Sequence, residues 1–197
     1  PVNVHGDWYI DRHCSECGAS RTFAPDLVGR SDGQAVFVRQ PVSADETEAA
    51  WRAVLVCPTA SVRRESGGNP PNDLYPETID AGVYRCGYNA RGSFGAHSYF
   101  IDRPTGNVLV DSPRWTRRVR DFLDARGGLS HILLTHRDDV ADADRYRAAY
   151  CAEVWIHERD AEAAPYATHR LRGNAVDSPL PGWLSIPMPG HTAGSVV

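Results

Sequence analysis

The chain has 197 residues, of which 42% are hydrophobic and 23% are charged, and its formal net charge is −4 at pH 7. These values are typical of a soluble globular protein of one domain or two small ones. The negative net charge argues against nucleic acid and anionic membranes as partners, and no apolar run reaches the roughly 20 residues that span a bilayer.

The first part of the chain predicts two short strands and one helix. The strands are β-prone runs at residues 8–10 and 35–38. Ser43 and Glu46 have the spacing of a capping box, which predicts a helix that begins after Ser43. Because Pro58 cannot continue a helix, this helix is expected to end there and to deliver Cys57 at its end.

Residues 65–72 predict a linker, because their two glycines and two prolines cannot sustain a helix or a strand. We therefore expect one unit at residues 1–64 and a second unit at residues 73–197. The first unit is so small that a bound metal or cluster would help to stabilise it.

In the second unit, predicted strands alternate with predicted helices. The strands are residues 98–101, 107–110, 132–135, 153–156 and 183–186, and the helices are residues 114–125 and 142–151. The first two strands predict a hairpin that turns at Pro104-Thr105-Gly106. The pattern indicates a layered domain of sheet and helices, and the whole chain is expected to have an α+β fold.

The thiols of the first unit form a pattern. Cys14 and Cys17 make a Cys-x-x-Cys motif, and Cys57 stands before a proline. The chain has five cysteines, an odd number, and its N-terminus does not have the pattern of a signal peptide. We therefore expect these thiols to serve metal binding or redox chemistry in a reducing compartment, the cytoplasm, and not a disulfide framework.

Residues 14–20, together with Cys57-Pro58, resemble a single-cluster bacterial ferredoxin, whose pattern is Cys-x₂-Cys-x₂-Cys with a distant Cys-Pro. The resemblance implies a 4Fe-4S cluster bound by Cys14, Cys17 and Cys57, with Ser20 in the place of the remaining cysteine. A serine oxygen binds iron only weakly. Three alternatives therefore stay open: a labile or three-iron cluster, a ferredoxin-shaped domain without its cluster, and zinc on three thiolates.

Two histidines in the second unit are candidate metal ligands. His136 follows a predicted strand and is itself followed by the carboxylate of Asp138, and His191 lies on a Gly-His-Thr turn. A rigid strand that ends in a loop can fix such ligands and still leave a coordination position open. The tight turn could bring His191 to the same ion.

These two motifs, with the second reading Pro-Gly-His-Thr-Ala-Gly-Ser, resemble the metallo-β-lactamase fold. The family pattern His-x-His-x-Asp-His, aligned on His136, puts Asp138, Val140 and Ala141 on the following ligand positions, and Val140 and Ala141 cannot bind a metal. The resemblance implies an αββα sandwich of which this chain holds the first half. A second chain or a missing segment would then complete the sandwich.

The same resemblance implies a zinc or iron site formed by His136, Asp138 and His191, in which His136 and Asp138 serve catalysis. Asp142 is a further candidate ligand, because it follows Asp138 by one helical turn. An aspartate at this place also predicts the N-cap of the helix at residues 142–151, and we favour this interpretation.

The leading functional hypothesis is a metal-dependent hydrolase that acts on a small molecule of unknown identity. The alternative is a redox or electron-transfer protein, in which an iron–sulfur cluster exchanges electrons with an iron site. A third hypothesis is a non-catalytic scaffold with decayed sites. Metal analysis separates them: zinc alone favours hydrolysis, iron with acid-labile sulfide favours redox chemistry, and neither favours the scaffold.

Overall fold

The computed structural model describes residues 2–197. Its strands are β1 Trp8–Ile10, β2 Val28–Ser31, β3 Gln34–Phe37, β4 Val62–Arg64, β5 Glu77–Asp80, β6 Val83–Arg85, β7 Tyr99–Ile101, β8 Val108–Val110, β9 His131–Leu133, β10 Glu153–His157 and β11 His169–Leu171. Its α-helices are α1 Ala19–Phe23, α2 Ala44–Val56, α3 Arg117–Asp124 and α4 Ala143–Tyr150. The predicted α+β fold is confirmed. Among these helices none combines the length and the apolar character that a bilayer crossing requires.

The first unit contains two small antiparallel sheets, β1 with β4 and β2 with β3. Helix α2 has the predicted capping box: Ser43 Oγ accepts the Glu46 N–H at 3.1 Å, and the Glu46 carboxylate accepts the Ser43 N–H at 3.3 Å. Trp8 and Trp51 pack edge to face in the core, with ring centroids 4.8 Å apart. The helix ends at Val56, so Cys57 is held in this core.

The segment between the units is tied to the first one at both ends. Its first residues bond to Asp7, whose carboxylate accepts the Ser66 N–H at 2.7 Å. Beyond its end, Leu74 and Tyr75 are buried in the core of the first unit. Strand β4 pairs only with β1, whereas β5 begins a separate seven-stranded sheet within the described residues.

The second unit is built on this seven-stranded sheet, in the order β11-β10-β9-β8-β7-β6-β5. Strands β5 to β8 are antiparallel, and β8 to β11 are parallel. The predicted hairpin is confirmed as β7 and β8. One row of paired residues, Phe100, Leu109, Ile132 and Val154, is completely buried against α3 and α4. Burial of such a row is the main stabilising contribution to this layer.

The opposite face of the sheet carries Val110, Leu133 and Trp155. Residues 179–185 and 196–197 lie over these side chains and leave a cavity of about 90 Å³. On the covering segment itself, Leu184 is 66% exposed and Met188 is 57% exposed. The expected second chain or missing segment that would complete a sandwich here stays a prediction.

Two predicted boundaries and one predicted strand needed correction. Helix α3 begins at Arg117 and not at residue 114, because Thr116 acts as its N-cap and accepts the Val119 N–H at 3.2 Å. Strand β9 ends at Leu133, two residues before the predicted end. The strand predicted at residues 183–186 is wrong: Ser185 bridges to Asp177 and Ile186 exchanges backbone hydrogen bonds with Val197, but no continuous ladder forms. Prolines at 181, 187 and 189 flank it and cannot donate to a ladder.

Candidate metal centre and the adjoining cysteine loop

The structure brings together three of the predicted ligands, His136, Asp138 and His191. One ligand atom of each lies within 4.8 Å of the others. His191 Nε2 is 3.0 Å from Asp138 Oδ2, and the two imidazole rings have centroids 5.0 Å apart. The His191 side chain is 70% exposed, so the group opens to solvent.

A backbone hydrogen bond explains how residues so distant in sequence meet. The chain continues from β9 in an extended form, and Thr135 C=O accepts the Val196 N–H at 2.9 Å. The C-terminal segment therefore runs beside the end of β9, which places the His191 turn over the His136 loop. Because both loops are attached to one rigid sheet, the ligands are held with little freedom.

His136 is oriented through a chain of polar contacts that begins at Asp111. The Asp111 carboxylate accepts the Thr135 N–H at 2.8 Å and the Thr135 hydroxyl at 2.9 Å. Thr135 Oγ1 also lies 2.9 Å from His136 Nδ1. When Asp111 is ionised, the hydroxyl proton is used on its carboxylate, so the hydroxyl accepts from Nδ1–H and the Nε2 lone pair is free for a metal.

Asp111 is a buried carboxyl directly after β8. Burial raises the pKa of Asp111 to about 8, and the negative charge of Asp139 adds to this effect. A nearby cation favours the ionised form of a carboxyl, so a metal at the His136 group would oppose the shift. Burial likewise raises the pKa of Asp139, whose Oδ2 lies 3.5 Å from His136 Nδ1.

The structure does not bring Asp142 to the other three ligands. It occupies the N-cap position of α4, as expected, but its side chain makes no capping bond. Instead, Asp142 Oδ2 accepts the Trp115 N–H at 2.6 Å and so joins the start of α4 to the approach to α3. The remaining donors, two imidazoles and one carboxylate with an open side, fit zinc or iron(II).

The cysteine loop has the hydrogen bonds that thiolate ligands need. Cys14 Sγ accepts the Glu16 N–H at 3.4 Å, and Cys57 Sγ accepts the Ser61 N–H at 3.2 Å. Cys17 is exposed, and Ser20 is buried in α1. The donor set fits an iron–sulfur cluster in which a hydroxyl stands where one thiolate would be, since N–H donors to sulfur are part of how proteins tune such clusters.

Zinc on three thiolates is not favoured. Sulfurs that bind one zinc ion lie at most about 4.6 Å apart, twice the Zn–S distance. Across residues 2–197, the ligand atoms that lie within 4.8 Å of one another belong to His136, Asp138 and His191. The cysteines form no such close group.

Cys17 of the cysteine loop and the three residues of the histidine group line one cleft of about 500 Å³. Cys17, Ala19 and Thr22 come from the first unit, and His97, His136 and His191 come from the second. Between them lies Gly95, with φ +91°, so close to Cys17 that an added Cβ would be 2.8 Å from the sulfur. The sequence separated these motifs into two units and did not predict that they share a cleft.

Three residues near the centre were missed or not chosen from the sequence. Asp111 follows a predicted strand, as His136 does, and this parallel position was the available signal. His97 lines the cleft, and its Nδ1 accepts a hydrogen bond from Asn89 Nδ2 at 3.1 Å. Asp160 is buried behind both ligand loops, and no local pattern in the sequence marks it.

Residues 10–64 match the family model of the 4Fe-4S single cluster domain of ferredoxin I. The ferredoxin resemblance is therefore confirmed for this part of the chain, which ends at the last residue of β4. No curated protein matches the chain.

Among solved structures, the chain is similar to metallo-β-lactamases. The subclass B3 enzyme BJP-1 of Bradyrhizobium japonicum has 18% identity and a TM-score of 0.45, over 58% of this chain and 52% of that one. The HARLDQ-motif enzyme of Cronobacter sakazakii has 18% identity and a TM-score of 0.48, over 61% and 55%. GOB-18 of Elizabethkingia meningoseptica has 19% identity and a TM-score of 0.45, over 66% and 58%. The chain thus spans a little over half the length of these structures.

Proposed function

We propose that the protein is a metal-dependent hydrolase. The observation that carries this proposal is the meeting of His136, Asp138 and His191 at an open cleft, with one ligand atom of each within 4.8 Å of the others. A divalent ion bound there would lower the pKa of water and polarise a carbonyl or phosphoryl oxygen. The cleft volume of about 500 Å³ suits a small-molecule substrate.

His97 is the residue of the cleft best placed to bind substrate. Asn89 Nδ2 donates to the Gly95 C=O at 2.6 Å and to His97 Nδ1 at 3.1 Å. His97 therefore carries its proton on Nε2, and burial lowers the pKa of His97, which favours the neutral ring. A neutral imidazole with a fixed N–H can donate a hydrogen bond to a substrate oxygen.

The test is metal binding followed by a substrate screen. Metal-free protein is titrated with Zn²⁺, and His136→Ala and His191→Ala are compared with His13→Ala, which alters an exposed histidine of the first unit. We expect one zinc equivalent to bind to the parent and to His13→Ala, and much weaker binding to the other two variants. The loaded parent is then assayed on esters, thioesters, lactams and phosphodiesters. Failure of the parent to bind zinc would refute the proposal. Zinc-loaded protein that hydrolyses none of these substrate classes would also refute it.

Redox chemistry is the second candidate function, and the shared cleft favours it. Cys17 and His136 line the same cavity, so a cluster on the cysteine loop would lie close to a metal in the histidine group. Anaerobically purified protein would then contain iron and acid-labile sulfide, and a reduced cluster would transfer electrons to iron at the histidine group. Zinc without sulfide would exclude this function.

We also propose that the protein works in a reducing compartment, the cytoplasm. All five cysteines are free thiols, whereas proteins of oxidising compartments use cysteines in disulfides. Detection of the protein in a secreted or periplasmic fraction of its native cell would contradict this proposal.

A further inference from the structure

Asp160 connects the two loops that carry the metal group. It lies in the 3-10 helix Glu158–Ala163 after β10 and is only 1% exposed. Its Oδ2 accepts the Arg137 N–H at 3.1 Å, and the same oxygen accepts the hydroxyl of Thr192. Arg137 follows His136 and Thr192 follows His191, so one buried oxygen holds the neighbours of both histidines.

The His191 turn is shaped around this carboxylate. Thr192 N–H donates to Ser195 Oγ at 3.1 Å, and the two hydroxyl oxygens of these residues are 2.9 Å apart. Gly194 lies so close to Asp160 that an added Cβ would be 2.7 Å from the carboxylate carbon. The glycine of this motif is therefore required by the approach of Asp160 and not by an unusual φ.

Asp160 has no cationic partner among residues 2–197. The Arg137 head group pairs instead with Glu162, through Nη1 at 2.8 Å. Burial of a carboxylate without a partner is costly, and proteins tolerate such groups mainly where function requires them. Asp160 is stabilised instead by its hydrogen bonds to the two ligand loops.

We propose that Asp160 is a positioning residue that sets the metal affinity of the His136, Asp138 and His191 group. The inference rests on the proposed metal site. Loss of the shared oxygen releases the His191 turn from the His136 loop, and removal of such outer-sphere hydrogen bonds typically weakens metal binding by about 10-fold to 100-fold.

The experiment uses Co²⁺, whose visible spectrum reports ligand geometry, with four single variants and one double variant of the full chain. Thr192→Val removes the hydroxyl that bonds Asp160, and Thr192→Ser keeps it. Asp160→Ala removes the shared oxygen, and Glu162→Gln alters a 69% exposed carboxylate of the same 3-10 helix as a matched control. Each variant is first compared with the parent by thermal unfolding, so that only folded protein is titrated.

We expect Thr192→Val and Asp160→Ala to bind Co²⁺ at least about 10-fold more weakly, with a changed visible spectrum. Thr192→Ser and Glu162→Gln should behave as the parent does. The double variant should bind no more weakly than the weaker-binding single variant, because both changes break the same contact between Thr192 and Asp160. If the parent binds Co²⁺ and folded Thr192→Val binds it equally well, this inference fails alone. If the parent binds no metal, the proposed function fails as well.

Discussion

Gly95 lies against Cys17, so that a methyl carbon placed on Gly95 would stand 2.8 Å from the Cys17 sulfur and 3.4 Å from a ring carbon of Pro58. The first of these neighbours belongs to the Cys-x-x-Cys motif, and the second belongs to the Cys-Pro motif. A loop of the second unit is therefore in contact with both halves of the cysteine pattern. The two units meet at the place where the candidate cofactor would be held.

Gly95→Ala should destabilise this contact. The new methyl group would collide with Cys17, and the positive φ of +91° is strained for alanine. We expect a loss of about 1–3 kcal/mol in the free energy of unfolding, measured by urea denaturation. Gly92→Ala is the control, because it lies in the same loop and an added Cβ there meets nothing within 4 Å. Equal stability of the two variants would contradict the contact.

Thr135→Val should weaken metal binding without changing a ligand. Valine lacks the hydroxyl that bonds both His136 and Asp111. The His136 ring therefore loses its fixed tautomer and orientation. The expected effect on the dissociation constant for Zn²⁺ is about 10-fold, measured by competition with a chromophoric chelator. Thr135→Ser keeps the hydroxyl and should restore the parent value. Weak binding by both variants would indicate a packing effect instead.

Asp142→Ala should lower stability and leave metal binding unchanged. The variant removes the acceptor of the Trp115 N–H, a 2.6 Å bond between the starts of two helices. We expect a loss of about 1–3 kcal/mol in the free energy of unfolding. A large loss of zinc affinity, comparable with that of His191→Ala, would instead make Asp142 a ligand.

Ser20→Cys should increase cluster content. The substitution restores the family spacing of two residues after Cys17, and four thiolates hold a cluster more firmly than three. We expect more iron and acid-labile sulfide per chain after anaerobic reconstitution, with the brown absorbance of a cluster. Ser15→Cys adds an exposed thiol outside this spacing and is the control. If Ser20→Cys reconstitutes no better than the parent, the cluster hypothesis loses its support.

His97 should make stability depend on pH. Burial lowers the pKa of His97 below its usual 6.5, so the unfolded chain binds a proton at a higher pH than the folded protein does. Between these two values stability rises with pH, and acidification below about pH 6.5 destabilises the fold. His97→Gln should flatten this part of the stability curve, measured by urea denaturation at several pH values. Equal slopes of the parent and His97→Gln curves in this pH range would contradict the prediction.

Local signals in the sequence predicted the elements that depend on local chemistry. The capping box of Ser43 and Glu46 marked the start of α2, and the turn at residues 104–106 marked the β7–β8 hairpin. The apolar run at 183–186 failed as a strand because its pairing passes from Asp177 at Ser185 to Val197 at Ile186, and prolines flank it. An apolar run alone does not say whether a neighbouring strand is available.

The candidate site was predictable in its ligands but not in its supports. His136 and His191 carry recognisable motifs, whereas Asp160 acts only because the fold places its carboxylate between Arg137 and Thr192. The approach of Gly95 to Cys17 is likewise a contact between units that no spacing in the sequence encodes. Both relationships depend on tertiary packing, which pattern and propensity do not determine.

The antiparallel pairing of β1 with β4 joins residues 8–10 to residues 62–64. During synthesis, this pairing can therefore form as soon as β4 has left the ribosome, since domains fold in the order in which they emerge. The core of the first unit closes when Leu74 and Tyr75 follow. At that moment Cys14, Cys17 and Cys57 have been translated, and neither His136 nor His191 has been. A cofactor delivered to the nascent chain would thus meet the thiols before the imidazoles of the second unit exist.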